Sequence, residues 1–229
     1  MRGLFVTGTD TGVGKSIVAA ALCAAIAARG ERVAAFKPVL TGLDEPPQAP
    51  WPHDHELLAS GANAGQAPDD VAPYRFGPAV SPHLAAELAG AVIERVALLE
   101  AARAAATTAD ALVCEGVGGF LVPLSPDYLM RDLAGDLGLP VVVVARPGLG
   151  TINHTLLTVE AVRAAGLRVA GVVLTPWPDA PSAMELSNRT TIERLAEAQV
   201  ASLAPSTPDA LAATASSLPL QEWLEAHAA

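Results

Sequence analysis

The sequence predicts an α/β fold: a mostly parallel central sheet with helices on both faces, built as a single domain over residues 1–229. Three observations lead there. Short apolar runs alternate with helical patterns along the chain. Several of those runs are continuous Val, Leu and Ala, as in parallel strands covered on both faces. A glycine-rich turn, Gly8-Thr9-Asp10-Thr11-Gly12-Val13-Gly14-Lys15-Ser16, joins the first run to the first helical stretch.

Taken in order, the strands are Leu4–Thr7, Arg32–Phe36, Ala111–Cys114, Val141–Ala145 and Val169–Leu174, with a weaker run at Val200–Leu203. The helical stretch from Ile17 to Arg29 puts Val18, Leu22, Ala25 and Ile26 on one face, and a later one gathers Ile152, Leu156, Val159 and Val162. Gly30 and Gly166 follow these helices as stops. The Pro-rich stretch Glu45 to Pro52 reads as a surface loop inside the domain, because strands and helices resume after it. Ala204 to Ser217, rich in Ser, Thr, Pro and Ala, reads as loop and short helix. Ligands of parallel sheets bind beyond the carboxyl ends of the strands, so the residues directly after each strand carry the chemistry.

Strand, glycine-rich turn, Lys-Ser, helix is the order of a phosphate loop, which makes the expected fold P-loop NTPase-like. Successive backbone N–H groups wrap phosphate oxygens at a helix N-terminus, where the helix dipole also favours an anion. In that arrangement Lys15 reaches the β- and γ-phosphates and the Ser16 hydroxyl sits on Mg²⁺. The loop departs from the common pattern, which has four residues between its first glycine and Gly-Lys-Ser; Gly8 to Gly14 encloses five.

Composition narrows the function. Hydrophobic residues make up 51% and aromatics 4%, an Ala/Val/Leu core able to fold without staples. The net charge of −10, with no run of Lys or Arg, argues against nucleic acid and against an anionic membrane surface. The longest apolar run, Ile17 to Ala28, is too short to span a bilayer. The N-terminus runs straight into a predicted strand, which leaves no signal peptide. Cys23 and Cys114 fall in a helix and a buried strand and read as small core residues. Together these features predict a soluble cytoplasmic protein.

The strand ends supply the candidate residues. Lys37 follows the second strand, in Lys37-Pro38-Val39-Leu40-Thr41-Gly42, and points at the ligand crevice. A lysine so placed is expected to contribute little to the core. Asp54, just past the Pro-rich loop, reads by itself as a helix N-cap. Glu115 closes the third strand ahead of Gly116-Val117-Gly118-Gly119, well placed to hold Mg²⁺ directly or through water, with glycines that allow close backbone approach. Gly148-Leu149-Gly150-Thr151-Ile152-Asn153-His154 opens a helix whose free N–H groups suit a carboxylate, although a plain N-cap at Thr151 explains the same residues. The histidines show no metal-ligand spacing.

In sequence order these segments resemble the dethiobiotin synthetase family. The resemblance rests on the long-form loop Gly8 to Ser16, Lys37-Pro38-Val39 with Thr41-Gly42, Asp54, Ser81-Pro82-His83, Glu115 to Gly119, and Leu149 to His154. It covers residues 3 to about 175, and the extra loop residue is itself a family feature. It implies a homodimer with active sites near the subunit interface, acting on 7,8-diaminononanoate, CO₂ (or bicarbonate) and ATP or another nucleoside triphosphate with Mg²⁺. By this resemblance Gly12, Val13, Gly14, Lys15, Ser16 and Ile17 hold the triphosphate, with Glu115, Gly116, Val117 and Gly118 beside it. Ser16, Asp54 and Glu115 match metal-associated positions, and Lys15 and Lys37 the catalytic lysines. Thr11, Lys37, Thr41, Ser81, Pro82 and Gly118 line the diamine. Gly150, Thr151, Ile152 and Asn153, from the partner subunit, hold its carboxylate.

One place departs from the family pattern. After the strand Val169–Leu174 many members carry an Asn that reads adenine, whereas this chain has Thr175-Pro176-Trp177-Pro178. Proline has no N–H and Thr no amide pair, so two-point reading of adenine is lost there. Three other readings are weaker. Dimerising partition and septum-site ATPases carry an early loop lysine where this chain has Thr9 and Asp10. A cobyrinate-type amidoligase commonly adds a glutaminase domain for which there is no room. A pure nucleotide-binding module leaves Lys37 and Glu115 without a task.

Overall fold

The computed structural model describes residues 1–225. In chain order the elements are β1 (Gly3–Gly8), α1 (Lys15–Ala28), β2 (Val33–Phe36), β3 (Val39–Leu40), α2 (Asp54–Gly61), α3 (Pro68–Val71) and β4 (Tyr74–Arg75). Then come α4 (Pro82–Leu88), α5 (Arg95–Thr107), β5 (Ala111–Gly119), β6 (Pro123–Ser125), β7 (Tyr128–Leu129), α6 (Met130–Leu137) and β8 (Val141–Ala145). The chain continues through α7 (Thr151–Ala164), β9 (Val169–Leu174), α8 (Ala183–Ala196), β10 (Val200–Ser202), α9 (Leu211–Thr214) between two short 3₁₀ turns, and α10 (Leu220–Glu225).

All six predicted strands form one sheet in the order β10-β9-β8-β1-β5-β2, with every pairing parallel. β8 and β9 have the predicted bounds. β5 runs past Cys114 to Gly119 because the glycines go on pairing, Gly8 opposite Gly119, after a register shift. β2 begins at Val33, not Arg32, and β10 ends at Ser202. The sequence reading has no counterpart for β3–β4 and β6–β7, two small two-stranded sheets whose runs of two or three residues are too short to show a period.

Strand alternation sorts the side chains into two apolar layers. Phe5, Ala34, Phe36, Leu112, Cys114, Val141 and Val143 face one way, with Leu98, Leu133, Val159 and Ile192 from the helices on that side. Leu4, Val6, Val33, Ala35, Val113, Val142 and Val144 face the other, against Val18, Leu22 and Ile26 of α1 and Leu57 and Leu58 of α2. Helix α1, which starts at the glycine-rich loop, packs on this second face. The edge of that face is sealed by Trp223 of α10, 1% exposed, whose indole lies over Gly171 of β9. A β-carbon on Gly171 would stand 2.8 Å from Cζ2 of that ring. We expect Gly171→Ala to overpack this contact at a cost of about 1–3 kcal/mol, read as a melting temperature several degrees lower; an unchanged melt would show that Trp223 can shift without penalty.

Candidate active site

β1 lies between β8 and β5, so the turn after it opens at the centre of the sheet's carboxyl edge. That turn depends on glycine at two positions. Gly12 and Gly14 both have left-handed backbone (φ 69° and 96°), which other residues rarely adopt, and Gly14 caps α1 with no side chain bonded to the helix end. The first N–H groups of α1 therefore have no side-chain acceptor at the cap and face outward, as anion binding requires. Lys15, 7% exposed, folds back so that Nζ donates to the Asp10 carbonyl at 2.8 Å. It makes no ion pair among the described residues, so its charge is not committed to a carboxylate.

The register of the sheet builds the rest. Phe36 pairs with Cys114, so the next residues, Lys37 and Glu115, leave adjacent strands side by side. Both continue the alternation of Val33–Ala35 and Ala111–Val113 and so fall on the α1 face. Lys37 Nζ stands 2.7 Å from Glu115 Oε1 and 2.9 Å from Asp54 Oδ2, and Ser16 donates its hydroxyl to Glu115 Oε1 at 2.8 Å. Asp54 arrives from another direction, as the first residue of α2. His53 is the N-cap of that helix, which corrects the expectation that Asp54 caps it; Glu56 accepts from the His53 N–H at 3.0 Å.

The expectation that Lys37 contributes little to the core is also corrected. Lys37 is 3% exposed and Glu115 fully buried, so each is the other's compensation. Burial opposes the Lys37 charge, but Asp54 and Glu115 outweigh it and push the pKa above the usual lysine value. Burial raises Glu115 above the usual carboxylate range, and Lys37 offsets this only in part. Burial works the same way on Asp54, yet Lys37, helped by Ser16 and Lys15, holds it below that range. Lys15 goes the other way: burial lowers it to about 8, with Glu115 opposing.

A magnesium ion fits this donor set. Ser16, Asp54 and Glu115 offer hard oxygen ligands, and Glu115 Oε2 is buried without any hydrogen-bond partner, an orphaned acceptor beside a hydroxyl and a carboxylate.

The other predicted residues are placed as follows. Thr41 lies on a loop pinned to the segment before α4: Gly42 N–H donates to the Pro78 carbonyl at 3.1 Å and Leu43 N–H to Phe76 at 3.2 Å. Ser81 caps α4 and Pro82 is its first residue, buried. Gly116 faces away from the loop, where a β-carbon would press on Met130 and Phe5, so its small size serves core packing. Gly118 takes left-handed backbone (φ 61°) against Val122, Val117 is half-buried, and Ile17 is half-buried in the first turn of α1. Thr175 is 3% exposed, and its methyl packs on the phosphate loop at Gly14, while Pro176 is exposed. Gly150, not Thr151, is the N-cap of α7. The Thr151 hydroxyl pairs with Thr155 at 3.4 Å, which removes the plain N-cap explanation of that segment. Ile152 and Asn153 follow it, half-buried and exposed. None of Gly150 to Asn153 bonds to the lysine–carboxylate network among the described residues.

Two residues escaped the sequence reading. Arg146, directly after β8, donates to the Thr11 and Gly12 carbonyls at 3.3 and 3.2 Å. Its signal was available, since Val142, Val144 and Arg146 alternate onto the α1 face. Asn188 of α8, which donates to the Pro147 and Gly148 carbonyls at 2.9 and 3.2 Å, had no sequence signal at all.

A parallel sheet with a phosphate loop at its centre, two buried lysines and a carboxylate beyond the neighbouring strands defines a P-loop nucleotide-dependent enzyme. Curated relatives include the ATP-dependent dethiobiotin synthetases of Anaeromyxobacter dehalogenans, 46% identical over 211 residues (91% of this chain, 92% of the relative), and Bacillus subtilis, 35% identical over 206 residues (90% and 87%). The chain belongs to the ATP-dependent dethiobiotin synthetase family. A family model described as an AAA domain matches residues 2–212. Similar solved structures are the Pyrococcus furiosus cell division ATPase MinD (20% identity, TM-score 0.51, covering 96% of this chain and 90% of that one) and a ParA family ATPase from Chlorobium tepidum (14%, 0.55, 98% and 91%). At these identities they share the fold alone.

Proposed function

We propose that this chain, as one P-loop domain, joins 7,8-diaminononanoate and CO₂ at the expense of ATP to close the five-membered ureido ring of dethiobiotin, a step of biotin synthesis. The observation that carries the reading is the Lys37 ammonium, buried between Asp54 and Glu115 and bridged through Glu115 to Ser16 of the phosphate loop. One amine of the diamine captures CO₂ as a carbamate. A carbamate oxygen attacks the γ-phosphorus, the bond to the β–γ bridging oxygen breaks and ADP leaves, giving a carbamic–phosphoric anhydride. The second amine then attacks the carbonyl carbon and expels phosphate.

The difficulty is bringing two anions together. Lys15 and Lys37 supply positive charge fixed by burial of their side chains, and charge so fixed acts most strongly on the phosphoryl group in transfer. The loop N–H groups from Gly12 to Ile17 hold the phosphates in line. Mg²⁺, held by Ser16, Asp54 and Glu115, supplies further neutralisation of the β- and γ-phosphates when bound. Thr11, Thr41, the Ser81-Pro82 turn and Gly118 position the amines, and ring closure follows largely from that positioning. In a homodimer, Gly150 to Asn153 of the partner subunit would receive the distant carboxylate. Leu149, 93% exposed beside that helix start, suits an interface residue. None of the helices in the described residues is long and apolar enough to cross a membrane, and a cytoplasmic setting fits this reading.

Incubation with diaminononanoate, bicarbonate, Mg²⁺ and ATP tests the proposal: it requires dethiobiotin and phosphate in equal amounts. Hydrolysis indifferent to the diamine would favour a nucleotide switch instead. The base half of the site adds a separate expectation. Thr175 spends its side chain on Gly14 and Pro176 offers no donor, so selectivity among ATP, GTP and CTP should be weak. KM values within about tenfold of one another are the expected result, since one neutral hydrogen bond to the base is worth no more than roughly that; a preference for ATP of a hundredfold or more would sink it.

A further inference from the structure

We propose that Arg146 is a positioning residue for the triphosphate: from its exposed position after β8 it clamps the phosphate loop at Thr11 and Gly12, next to the Asp10 carbonyl that Lys15 holds. This rests on the loop binding a nucleotide, not on the identity of the second substrate. The loop, one residue longer than the common pattern, has an exposed lip at Asp10 to Gly12. Left alone, such a lip would be free to rotate its peptide planes and turn carbonyls toward the phosphates, which would repel them.

The carbonyls of the lip are held by two cations. Lys15 Nζ takes the Asp10 carbonyl at 2.8 Å. One guanidinium nitrogen of Arg146, Nη2, takes the next two carbonyls, Thr11 at 3.3 Å and Gly12 at 3.2 Å. With those carbonyls turned to Arg146, the N–H groups of the same peptide planes, those of Gly12 and Val13, point the opposite way and are left for the ligand. Arg146 is itself fixed. It follows β8, which pairs in register with β1, Val144 opposite Gly8, and the Thr9 N–H donates to the Val144 carbonyl at 3.0 Å. Behind it Asn188, 7% exposed, holds the next two residues by their carbonyls. No carboxylate pairs with Arg146 among the described residues, so the loop carbonyls are its partners. Gly12 completes the fit, because a β-carbon there would stand 3.3 Å from Nη2.

Isothermal titration of Mg²⁺–ATP into the wild-type chain and into Arg146→Ala, Arg146→Gln and Arg146→Lys tests the clamp. The Ala and Gln variants should bind at least tenfold more weakly, with a melting temperature within 2 °C of the wild type. The Lys variant, which still has a donor within reach, should recover most of the loss. In steady state KM for ATP should rise while kcat at saturation stays within about threefold, as expected of a group that shapes the binding loop and touches no reacting atom. Affinity within twofold of wild type in Arg146→Ala, an Arg146→Lys variant no better than Ala, or a melting temperature that falls in step with affinity would each overturn the proposal. A wild-type chain that binds Mg²⁺–ATP but makes no dethiobiotin would defeat the proposed reaction and leave this comparison intact.

Discussion

A Lys37→Met variant is expected to lose turnover by about 10²–10³-fold or more, the loss seen when one preorganised donor to a transition state is removed. It should also lose stability. Methionine fills much the same volume, but the fully buried Glu115 then loses its paired ammonium and keeps only the Ser16 hydroxyl and the more distant charge of Lys15. Breaking a buried pair from one side costs about 3–5 kcal/mol. That cost depends on pH in a definite direction. Burial already raises the Glu115 pKa, and Lys37 is the main influence lowering it. Without Lys37 the folded variant holds a proton that the unfolded chain, ionised above about pH 4.3, does not. Folding then takes up a proton, so the variant gains stability as pH falls. Denaturant melts from pH 5 to 8.5 should show a deficit against wild type that is largest at the alkaline end. A deficit that does not change with pH would mean that Glu115 finds another partner.

Lys15→Met should separate binding from stability in the opposite way. Its ammonium bonds only to a backbone carbonyl, and burial holds its pKa down at about 8. A lysine with its folded pKa below the unfolded value destabilises the fold at neutral pH, and that penalty fades as pH rises through 8 toward 10. Replacing it therefore leaves the melting temperature at pH 7 unchanged or higher, while ATP affinity falls by about a hundredfold or more, two or more powers of ten for a lost charge-assisted contact to phosphate. The same pKa predicts a proton balance for the wild type. A bound triphosphate raises the Lys15 pKa, so binding above pH 8 takes up a proton and weakens as pH climbs. Calorimetry in buffers of different ionisation enthalpy measures that uptake. No uptake at pH 8.5, or a marked fall in stability of the variant at pH 7, would contradict it.

These two lysines also show what the sequence could and could not reveal. Both were identified from strand-end position and loop motif, because the order strand–turn–helix and the continuous apolar runs are local signals. The burial of Lys37 was not, since nothing within a few residues of it states that Glu115 and Asp54 will close over it. The bounds of β8 and β9 were legible as pure Val/Ala/Leu runs, whereas β5 outran its apolar stretch on glycines that pair without any hydrophobic signature. Asp54 needed the packing of α2 on α1, so close that a β-carbon on Gly61 would lie 2.7 Å from the Ala20 carbonyl, and such contacts leave no periodicity. Arg146 lay in plain view in the alternation Val142, Val144, Arg146, but alternation has meaning only once the face is known.

The side-by-side exit of Lys37 and Glu115 from neighbouring strands has a consequence for how the enzyme comes into being. Those two residues are 78 positions apart in the chain, and Ser16 and Glu115 are 99 apart. No local folding unit contains the site. Helix α1 and its loop can form early, but Lys37 and Ser16 meet Glu115 only when β2 and β5 zip beside β1, the slow, long-range part of folding a parallel sheet. Turnover therefore reports on the completed sheet. A partly folded chain has no partial version of this site to offer, and activity should vanish in the same cooperative transition that dissolves the sheet.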